Sequence, residues 1–564
     1  MPGAISRVDA ARWALEALVV CAFAAILVVG VAGPADIAIP GMVLRLRGIG
    51  RLAAIAAAAL LLRVALGLRR TSRHEWLSET AATVFRVTVL TILVSDLGLV
   101  LGHLVMACGG LDSAGYLGSA RLFLSGRLTA YQPVARVLPF VNATTAVAPL
   151  GFVASATPYF IAPRFPPGLP LVMATGTLLG GRAAPFFVAP ALGIGLVTLT
   201  YVMTRRMAGS TTAALGAVMV ATDPVFIHMT LQPMSDVPAT FWVVLAGFLL
   251  WRPAPRPVFG GLAAGLAILT RPPLVLAAVA IALMTKWSDR RRPLLFACVT
   301  GVFVVALMAL QSHIYGHALT SGYGSAGQLF TLSALRTQLA LYGKWLLVVH
   351  TPLLVLLFAA GARANPRLAW RAGAVFMATA APYLVYAPRF EDWEILRFLL
   401  PTLPFVFISC ASGVVWLANG INHPLRAHIV ATVVAIAIAA GSYAFLLDHS
   451  TFDLHVSEMK YPLVGEWFAR NTPQNAVAIS ALHSGSLRFY SDRATLRMEA
   501  LPEGALLETV NALQRAAYVP YVVLEQGDEY EEFEHRFHPD AIGSLTITPE
   551  ARIRGVQVLR LATR

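Results

Sequence analysis

The chain has 564 residues, of which 57% are hydrophobic and only 13% charged, and its mean hydropathy is +0.69. An average soluble domain carries roughly 25% charged residues, so this composition excludes a soluble globular protein for most of the chain. The net charge of +14 does not indicate nucleic-acid binding, because the basic residues stand in short clusters between apolar runs, as in membrane-protein loops. The four cysteines show no spacing typical of disulfide pairing or metal binding.

The apolar runs predict an all-α polytopic membrane protein with about 13 transmembrane helices. The first runs cover residues 13–33, 52–68 and 84–107. The alternation of basic clusters predicts a cytoplasmic N-terminus in a bacterial inner membrane and a periplasmic C-terminus. Residues 165–181 are expected to dip into the membrane or lie on it, and residues 259–287 to form two short helices broken at Arg271.

The composition changes at the end of the chain, where acidic residues become frequent and no apolar run is long enough to span. Short β-type runs alternate there with helical patterns, which predicts a small extramembrane α/β domain. The predicted strands are 476–480, 521–524 and 555–561, and the predicted helices 456–470 and 503–517. The predicted regions are N-terminal anchor helices (1–83), a membrane domain (84–448) with a long first outer loop (109–183), and the α/β domain (449–564).

Carboxylates are scarce near the predicted outer face, so each is a candidate general base for a hydroxyl or amine substrate. Asp112 directly follows the third apolar run, and Asp236 stands between two later runs in Ser235-Asp236-Val237-Pro238. Helix capping is the alternative for both residues. Asp223, before Pro224, is interpreted as a turn residue at a helix end.

Two arginines are placed where a lipid phosphate would lie. Arg271 occupies the break in residues 259–287, and Arg397 begins a late apolar run, so both are expected at the outer headgroup level. A guanidinium group there can bind phosphate with two hydrogen bonds, and snorkelling to the interface is the alternative. Lys344 is a weaker candidate for the same role.

Other polar residues leave two interpretations open. Asp96 and His103 share a face of the third run, where an ion pair of Asp96 with Arg63 is favoured over a proton relay. His483 and Arg488 lie in a polar segment after a predicted strand, which is either a site or a solvated loop. The sequence contains no phosphate-binding loop, dinucleotide fingerprint, serine-hydrolase elbow or zinc-protease motif.

A series of motifs, taken in order, resembles the GT-C superfamily of membrane glycosyltransferases that use polyprenyl-phosphate sugars. The most similar branch is the bacterial one related to protein O-mannosyltransferases and lipid A aminoarabinose transferase, which is similar to glycosyltransferase family 39. The resemblance covers about residues 84–420. Its motifs are Asp112 with Tyr116 and Gly126-Arg127, Phe165-Pro166-Pro167-Gly168, Ser235-Asp236-Val237-Pro238, Thr270-Arg271-Pro272 and Arg397-Phe398-Leu399-Leu400-Pro401.

The resemblance implies sugar transfer from a polyprenyl-phosphate donor to a lipid, glycan or protein acceptor at the outer face of the membrane. Asp112 would be the base and Asp236 the second acidic member. The donor phosphate would be held by Arg397, Arg271 and Lys344. The expected substrate contacts are Tyr116, Arg127, Pro166, Pro167, His483 and Arg488.

Cofactor and function alternatives remain at this point. Oligosaccharyltransferase relatives use a divalent metal, but the sequence shows no clustered set of metal ligands. A transporter or lipid flippase is the first alternative function, because it would also contain broken helices and intramembrane ionisable residues. A structural or assembly protein of the membrane is the second.

Overall fold

A computed structural model describes residues 7–32, 35–39, 42–46, 73–420, 424–537 and 542–564, together with residues 56, 58, 59 and 62. The long apolar runs are helical, since a chain in hydrocarbon must satisfy its backbone hydrogen bonds internally. The helices of seven or more residues are α1 (Arg7–Ala32), α2 (Arg73–Gly102), α3 (Gly110–Leu124), α4 (Gly168–Gly180), α5 (Val188–Ala208), α6 (Ser210–Ala221), α7 (Pro224–Thr230), α8 (Asp236–Leu250), α9 (Pro257–Thr270), α10 (Val275–Leu283), α11 (Arg291–Tyr315), α12 (Leu335–His350), α13 (Leu353–Ala364), α14 (Pro366–Leu384), α15 (Leu403–Asn419), α16 (Pro424–Asp448), α17 (Lys460–Asn471), α18 (Ser484–Ser491), α19 (Leu506–Arg515) and α20 (Asp528–Phe537).

The strands of the described residues form four separate sheets. Three of these are a hairpin of β1 and β2, a three-stranded sheet ordered β3-β5-β4 between α3 and α4, and a hairpin of β6 and β7. The fourth is a five-stranded sheet near the C-terminus, ordered β11-β12-β10-β8-β9. The strands are β1 (Ala35–Ile39), β2 (Met42–Leu46), β3 (Ala130–Tyr131), β4 (Phe152–Ala154), β5 (Phe160–Pro163), β6 (Thr320–Ser321), β7 (Gly324–Ser325), β8 (Ala476–Ser480), β9 (Ala494–Arg497), β10 (Val519–Glu525), β11 (Leu545–Ile553) and β12 (Val556–Thr563).

Six helices in the described part of the chain are long and apolar enough to cross a membrane, and two bent helix pairs raise that number to eight. The expected number of about 13 spans is therefore not confirmed. The second predicted span, residues 52–68, lies almost entirely outside the described residues. The apolar run after Asp236, which was predicted as a span, is a shorter apolar helix, α8.

The two bent pairs meet at a buried ion pair. The α6–α7 pair bends by 58° before Asp223, and the α12–α13 pair bends by 86° after His350. Asp223 caps α7 by accepting a hydrogen bond from the Phe226 backbone, which agrees with its interpretation as a turn residue. Its other carboxylate oxygen lies 2.6 Å from Nε2 of His350. The contact between Asp223 and His350 thus joins two helix bends that are far apart in the sequence.

The two irregular stretches expected from sequence are short helices. α9 ends at Thr270, Arg271 is extended, and α10 begins after a helical turn at Pro272–Leu274, so the predicted break is confirmed. α4 has 13 residues, or about 20 Å at 1.5 Å per residue, which is less than a hydrocarbon core. The two stretches touch, because a Cβ on Gly168 would lie 2.5 Å from the backbone nitrogen of Thr270.

The C-terminal sheet contains the three predicted strands and two more. β8 pairs in parallel with β9 and β10, and β12 runs antiparallel to β10 and β11. The strands β9 and β11 were not predicted. The polar segment after β8 could have been a solvated loop. It is not, because residues 484–491 form α18 and His483 is fully buried.

The segment between α3 and α4 packs against this sheet. Residues between 134 and 161 share a buried apolar core with β8, β10 and α19. α18 also contacts α3, where Arg121 donates hydrogen bonds to the Phe489 carbonyl and the Asp492 carboxylate, each at 2.7 Å. The C-terminal part is therefore in direct contact, through α18, with the helix that carries Asp112.

Candidate active site

Asp112 lies in the first turn of α3, two residues inside the helix. The N-cap position is Gly109, without a side-chain cap bond, and Gly110 has a φ of +58°. Oδ2 of Asp112 instead accepts a hydrogen bond from Nη1 of Arg397 at 2.9 Å. Only 18% of the Asp112 side chain and 15% of the Arg397 side chain are exposed. The capping alternative for Asp112 is therefore wrong.

Asp236 makes a second ion pair nearby. It is the first residue of α8, and its Oδ1 accepts a hydrogen bond from Nη2 of Arg271 at 2.5 Å. Neither Asp236 nor Ser235 makes a side-chain cap bond, so the capping alternative is wrong here too. The hydroxyl of Ser235 accepts hydrogen bonds from the Tyr116 hydroxyl at 2.8 Å and from Nε of Arg271 at 3.3 Å.

The two ion pairs form one cluster. Nη1 of Arg271 donates to the backbone carbonyl of Arg397 at 3.4 Å, and both guanidinium groups lie over the ring of Phe398, 5.3 and 5.2 Å from its centroid. We call Asp112, Asp236, Arg271 and Arg397 the paired cluster. Because both guanidinium groups end in largely buried ion pairs, the snorkelling alternative is wrong.

The charges and protons of the cluster follow from its surroundings. Burial alone would lower the pKa of Arg397, but the neighbouring carboxylates, Asp112 first, raise it above its ordinary value, so the guanidinium stays charged. The pKa of Tyr116 is raised by burial and by the charge of Asp112, so its hydroxyl keeps its proton and remains a donor.

Tyrosines surround the paired cluster. Tyr383 stacks on Phe398 with ring centroids 4.7 Å apart, and Tyr116 packs against Phe165 at 4.6 Å. Burial raises the pKa of Tyr323, so that this hydroxyl is neutral. Five tyrosines interact electrostatically with Arg271: Tyr116, Tyr323, Tyr342, Tyr383 and Tyr386. Only Tyr116 among them was predicted from the sequence.

Arg164 is a further cation at this site that the sequence analysis missed. Its guanidinium lies 5.5 Å from the centroid of the Tyr323 ring and interacts with Tyr386. Its Nε is buried and has no hydrogen-bond partner among the described residues. The signal in the sequence was its position directly before Phe165-Pro166-Pro167. A buried guanidinium nitrogen without a partner indicates a place for an anionic ligand.

The remaining predicted residues of the membrane part are Pro166, Pro167, Arg127 and Lys344. Pro166 and Pro167 line a cleft beside the C-terminal end of α11, together with Arg164. Arg127 is exposed just beyond the end of α3. Lys344 is exposed on α12, with its amine 4.3 Å from the centroid of the Trp345 ring. The predicted roles of Pro166, Pro167, Arg127 and Lys344 stay predictions, because no contact with the paired cluster tests them.

His483 and Arg488 belong to the C-terminal part. Nε2 of His483 lies 3.1 Å from Oε1 of Glu525, whose carboxylate also pairs with Lys460 at 2.8 Å. The hydrogen bond with His483 and the charge of Lys460 lower the pKa of Glu525 to about 2. Arg488 donates to the backbone carbonyl of Arg493 at 3.3 Å.

Asp96 and His103 have separate partners. Oδ1 of Asp96 accepts a hydrogen bond from the Tyr443 hydroxyl at 2.6 Å, and the ring of His103 packs edge-on against that of His455. The expected partner Arg63 lies outside the described residues. Among the residues that the structure describes, no group of three or more His, Cys, Asp or Glu could hold a metal ion.

Gly115 allows the Asp112 helix to reach the proline motif. A Cβ on Gly115 would overlap the Phe165 ring and lie 2.9 Å from Cα of Gly151. We expect Gly115→Ala to destabilise the protein by about 1–3 kcal/mol, measured as thermal unfolding in detergent, because the overlap forces backbone shifts. Gly373→Ala, on α14 with open space around it, is the control and should not destabilise. Equal stability of the two variants would contradict this packing.

Comparison with solved structures identifies the fold. ArnT from Cupriavidus metallidurans in the apo state matches with a TM-score of 0.55 and 15% identity over 84% of this chain and 97% of that one. The same protein bound to undecaprenyl phosphate matches with a TM-score of 0.55 and 13% identity, over 87% and 98%. The apo oligosaccharyltransferase of Archaeoglobus fulgidus matches with a TM-score of 0.52 and 12% identity, over 83% and 73%. The chain has the GT-C fold.

No protein-family model matches the chain, and a search by sequence against curated proteins finds no match. The GT-C fold is therefore recognised from its structure and from the ordered motifs. In the GT-C fold of this chain, helix ends carry the paired cluster: the start of α3, the start of α8, the end of α9 and the helical turn Trp393–Phe398.

Proposed function

We propose that the protein is a membrane glycosyltransferase that transfers a sugar from a polyprenyl-phosphate donor to an acceptor at the outer face of the membrane. The observation that carries this proposal is the paired cluster, in which the predicted base Asp112 lies 2.9 Å from the guanidinium of Arg397. The basic clusters between the spans favour a bacterial inner membrane with the C-terminal part in the periplasm. Residues 84–448 would form the catalytic membrane part.

The chemistry needs a base and an anion site next to each other. The acceptor oxygen attacks the anomeric carbon while its proton passes to the Asp112 carboxylate, and the bond from that carbon to the phosphate oxygen breaks. The electron pair leaves with the polyprenyl phosphate, whose negative charge Arg397 stabilises. Because attack and departure are on opposite faces, the configuration at the anomeric carbon inverts.

The ion pair of Asp112 and Arg397 suits a resting enzyme. An arriving phosphate competes for the Arg397 guanidinium and weakens its hold on Asp112, whose carboxylate then becomes free to accept a proton. Asp236 assists by fixing Arg271, whose Nη1 supports the backbone of Arg397. We therefore assign the close phosphate contacts to Arg397 and Arg164, with Arg271 behind them and Lys344 on the approach path.

A polyprenyl phosphate is the lipid that this site would take. ArnT from Cupriavidus metallidurans, which has the same fold, was crystallised with undecaprenyl phosphate. The buried Nε of Arg164 lacks a partner among the described residues, and the cleft that Arg164 lines with Pro166 and Pro167 is largely apolar in composition. A phosphate at the guanidinium and a lipid chain along apolar residues would satisfy both features.

Arg164→Gln should weaken binding of undecaprenyl phosphate by about 10- to 100-fold, because a charge-assisted hydrogen bond contributes about 1.5–3 kcal/mol. Binding to the purified protein in detergent is measured by native mass spectrometry, with undecaprenol as the ligand that lacks the phosphate. Arg336→Gln, which changes an exposed arginine of α12, is the matched control and should bind as the unchanged protein does. Equal affinity for the phosphate and the alcohol would contradict the proposed function.

A further inference from the structure

The C-terminal part holds the backbone from which the Asp112 helix starts. The N–H of Cys108 donates a hydrogen bond to the hydroxyl of Tyr490 at 2.8 Å. The backbone of Gly110 also interacts electrostatically with the hydroxyl of Tyr461. A backbone N–H without a hydrogen-bond partner is costly inside a protein, and the Tyr490 hydroxyl supplies the partner for Cys108, two residues before α3 begins. Asp112 follows four residues after Cys108 and two after Gly110.

The start of α3 packs so closely against the C-terminal part that Gly109 has no room for a side chain. A Cβ there would overlap the carboxylate of Glu458 and the ring of Tyr461. On the neighbouring face, a Cβ on Gly485 of α18 would lie 2.6 Å from Cβ of Ala114. The backbone of Gly109 thus meets the Tyr461 ring directly, and the backbone of Gly485 meets the Ala114 side chain, which fixes the start of α3 in position relative to α17 and α18.

Tyr461 is itself held in place by charged residues. Its ring lies 4.7 Å from the ring of His483, and the Lys460 amine lies 5.2 Å from its centroid. Both His483 and Lys460 pair with the carboxylate of Glu525 at the end of β10. His483 is fully buried. This arrangement packs the predicted tail residue His483 against Tyr461.

We propose that Tyr461 and Tyr490 are positioning residues, which hold the first turn of α3 so that the Asp112 carboxylate faces the acceptor. The inference rests on the proposed function, because it concerns the geometry of the proposed base. Neither tyrosine touches the reacting atoms, and the phosphate contacts Arg164 and Arg397 come from other elements. Loss of the phenol hydroxyls should therefore change the chemical step and leave donor binding as it is.

The test uses Tyr461→Phe, Tyr490→Phe and the double variant of the full-length protein in proteoliposomes. We expect kcat for sugar transfer to fall by about 10- to 100-fold in the double variant, since a shift of about 1 Å at a catalytic group costs about 100-fold. The donor KM and the thermal unfolding temperature should stay the same. Hydrogen exchange of the amides in residues 108–112 should become faster. Tyr518→Phe, elsewhere in the C-terminal part, is the control for all four measurements.

Two results would overturn the inference. Unchanged hydrogen exchange in residues 108–112 would show that the hydroxyls do not hold this turn. Faster exchange with an unchanged kcat would show that holding the turn does not position the base. If the unchanged protein transfers no sugar, the proposed function fails, and the exchange measurement still decides whether the two tyrosines hold the turn.

Discussion

Replacing Asp112 with asparagine should reduce sugar transfer by about 100- to 10,000-fold, which is the usual contribution of a positioned general base. The amide has nearly the shape of the carboxylate and can still accept the hydrogen bond from Arg397, but it cannot take the proton of the acceptor. The rate is measured in proteoliposomes as labelled sugar incorporated from a saturating polyprenyl-phosphate donor. Binding of polyprenyl phosphate should persist, because the cations remain.

The control for this variant is Asp448→Asn. Asp448 ends α16 at the junction with the C-terminal part, and 86% of its side chain is exposed. Asp448→Asn should transfer sugar at the same rate as the unchanged protein. If Asp112→Asn is folded, binds the lipid and still transfers at the full rate, Asp112 is not the base, and the assignment of the site fails.

Replacing Arg397 with glutamine should reduce transfer by about 100- to 1000-fold, the cost of removing one donor that stabilises a developing anion. Arg397 is the only residue of the paired cluster that contacts Asp112 by a hydrogen bond among the described residues, and it is also the cation proposed to receive the leaving phosphate. Arg397→Gln should therefore lose both rate and affinity for polyprenyl phosphate, in contrast to Asp112→Asn, which loses rate alone.

Arg397→Lys tests the positive charge of Arg397 separately from the shape of its guanidinium group. The ammonium group keeps the positive charge but cannot make the two parallel hydrogen bonds of a guanidinium, so we expect a rate between those of the glutamine variant and the unchanged protein. Arg336→Gln is again the control for loss of an arginine. Full activity of Arg397→Gln, with the protein folded, would show that the leaving group is stabilised elsewhere.

The members of the paired cluster could be predicted because charged residues are scarce in the apolar part of the chain. In an apolar chain few carboxylates and arginines remain near the predicted outer face, and those that stand at helix ends and breaks, such as Asp112 and Arg271, are costly to keep unless they are paired. The pairing itself was not predictable, because Asp112 and Arg397 are separated by 285 residues. Capping and snorkelling were reasonable alternatives until the contacts were known.

Other features gave weaker signals in the sequence. Tyr342 and Tyr383 stand in the apolar helices α12 and α14, where an aromatic residue usually packs in the core. Short apolar helices and bent pairs have the composition of full spans, so hydropathy alone does not separate them from single long spans, and the predicted number of about 13 is not confirmed. α18 has only eight residues and is rich in serine and glycine, which disfavour helix in isolation, so its packing against α3 decides its structure.

The most direct test of the central claim follows both halves of a donor. A polyprenyl-phosphate sugar labelled with ³H in the sugar and ¹⁴C in the lipid is supplied to proteoliposomes that contain the protein and a cell-envelope acceptor fraction. The account predicts that the labels separate, with ³H covalently attached to acceptor and ¹⁴C released as free polyprenyl phosphate, and that Asp112→Asn abolishes the separation. Movement of both labels together across the bilayer, with the donor intact, would contradict it and favour a transporter or flippase.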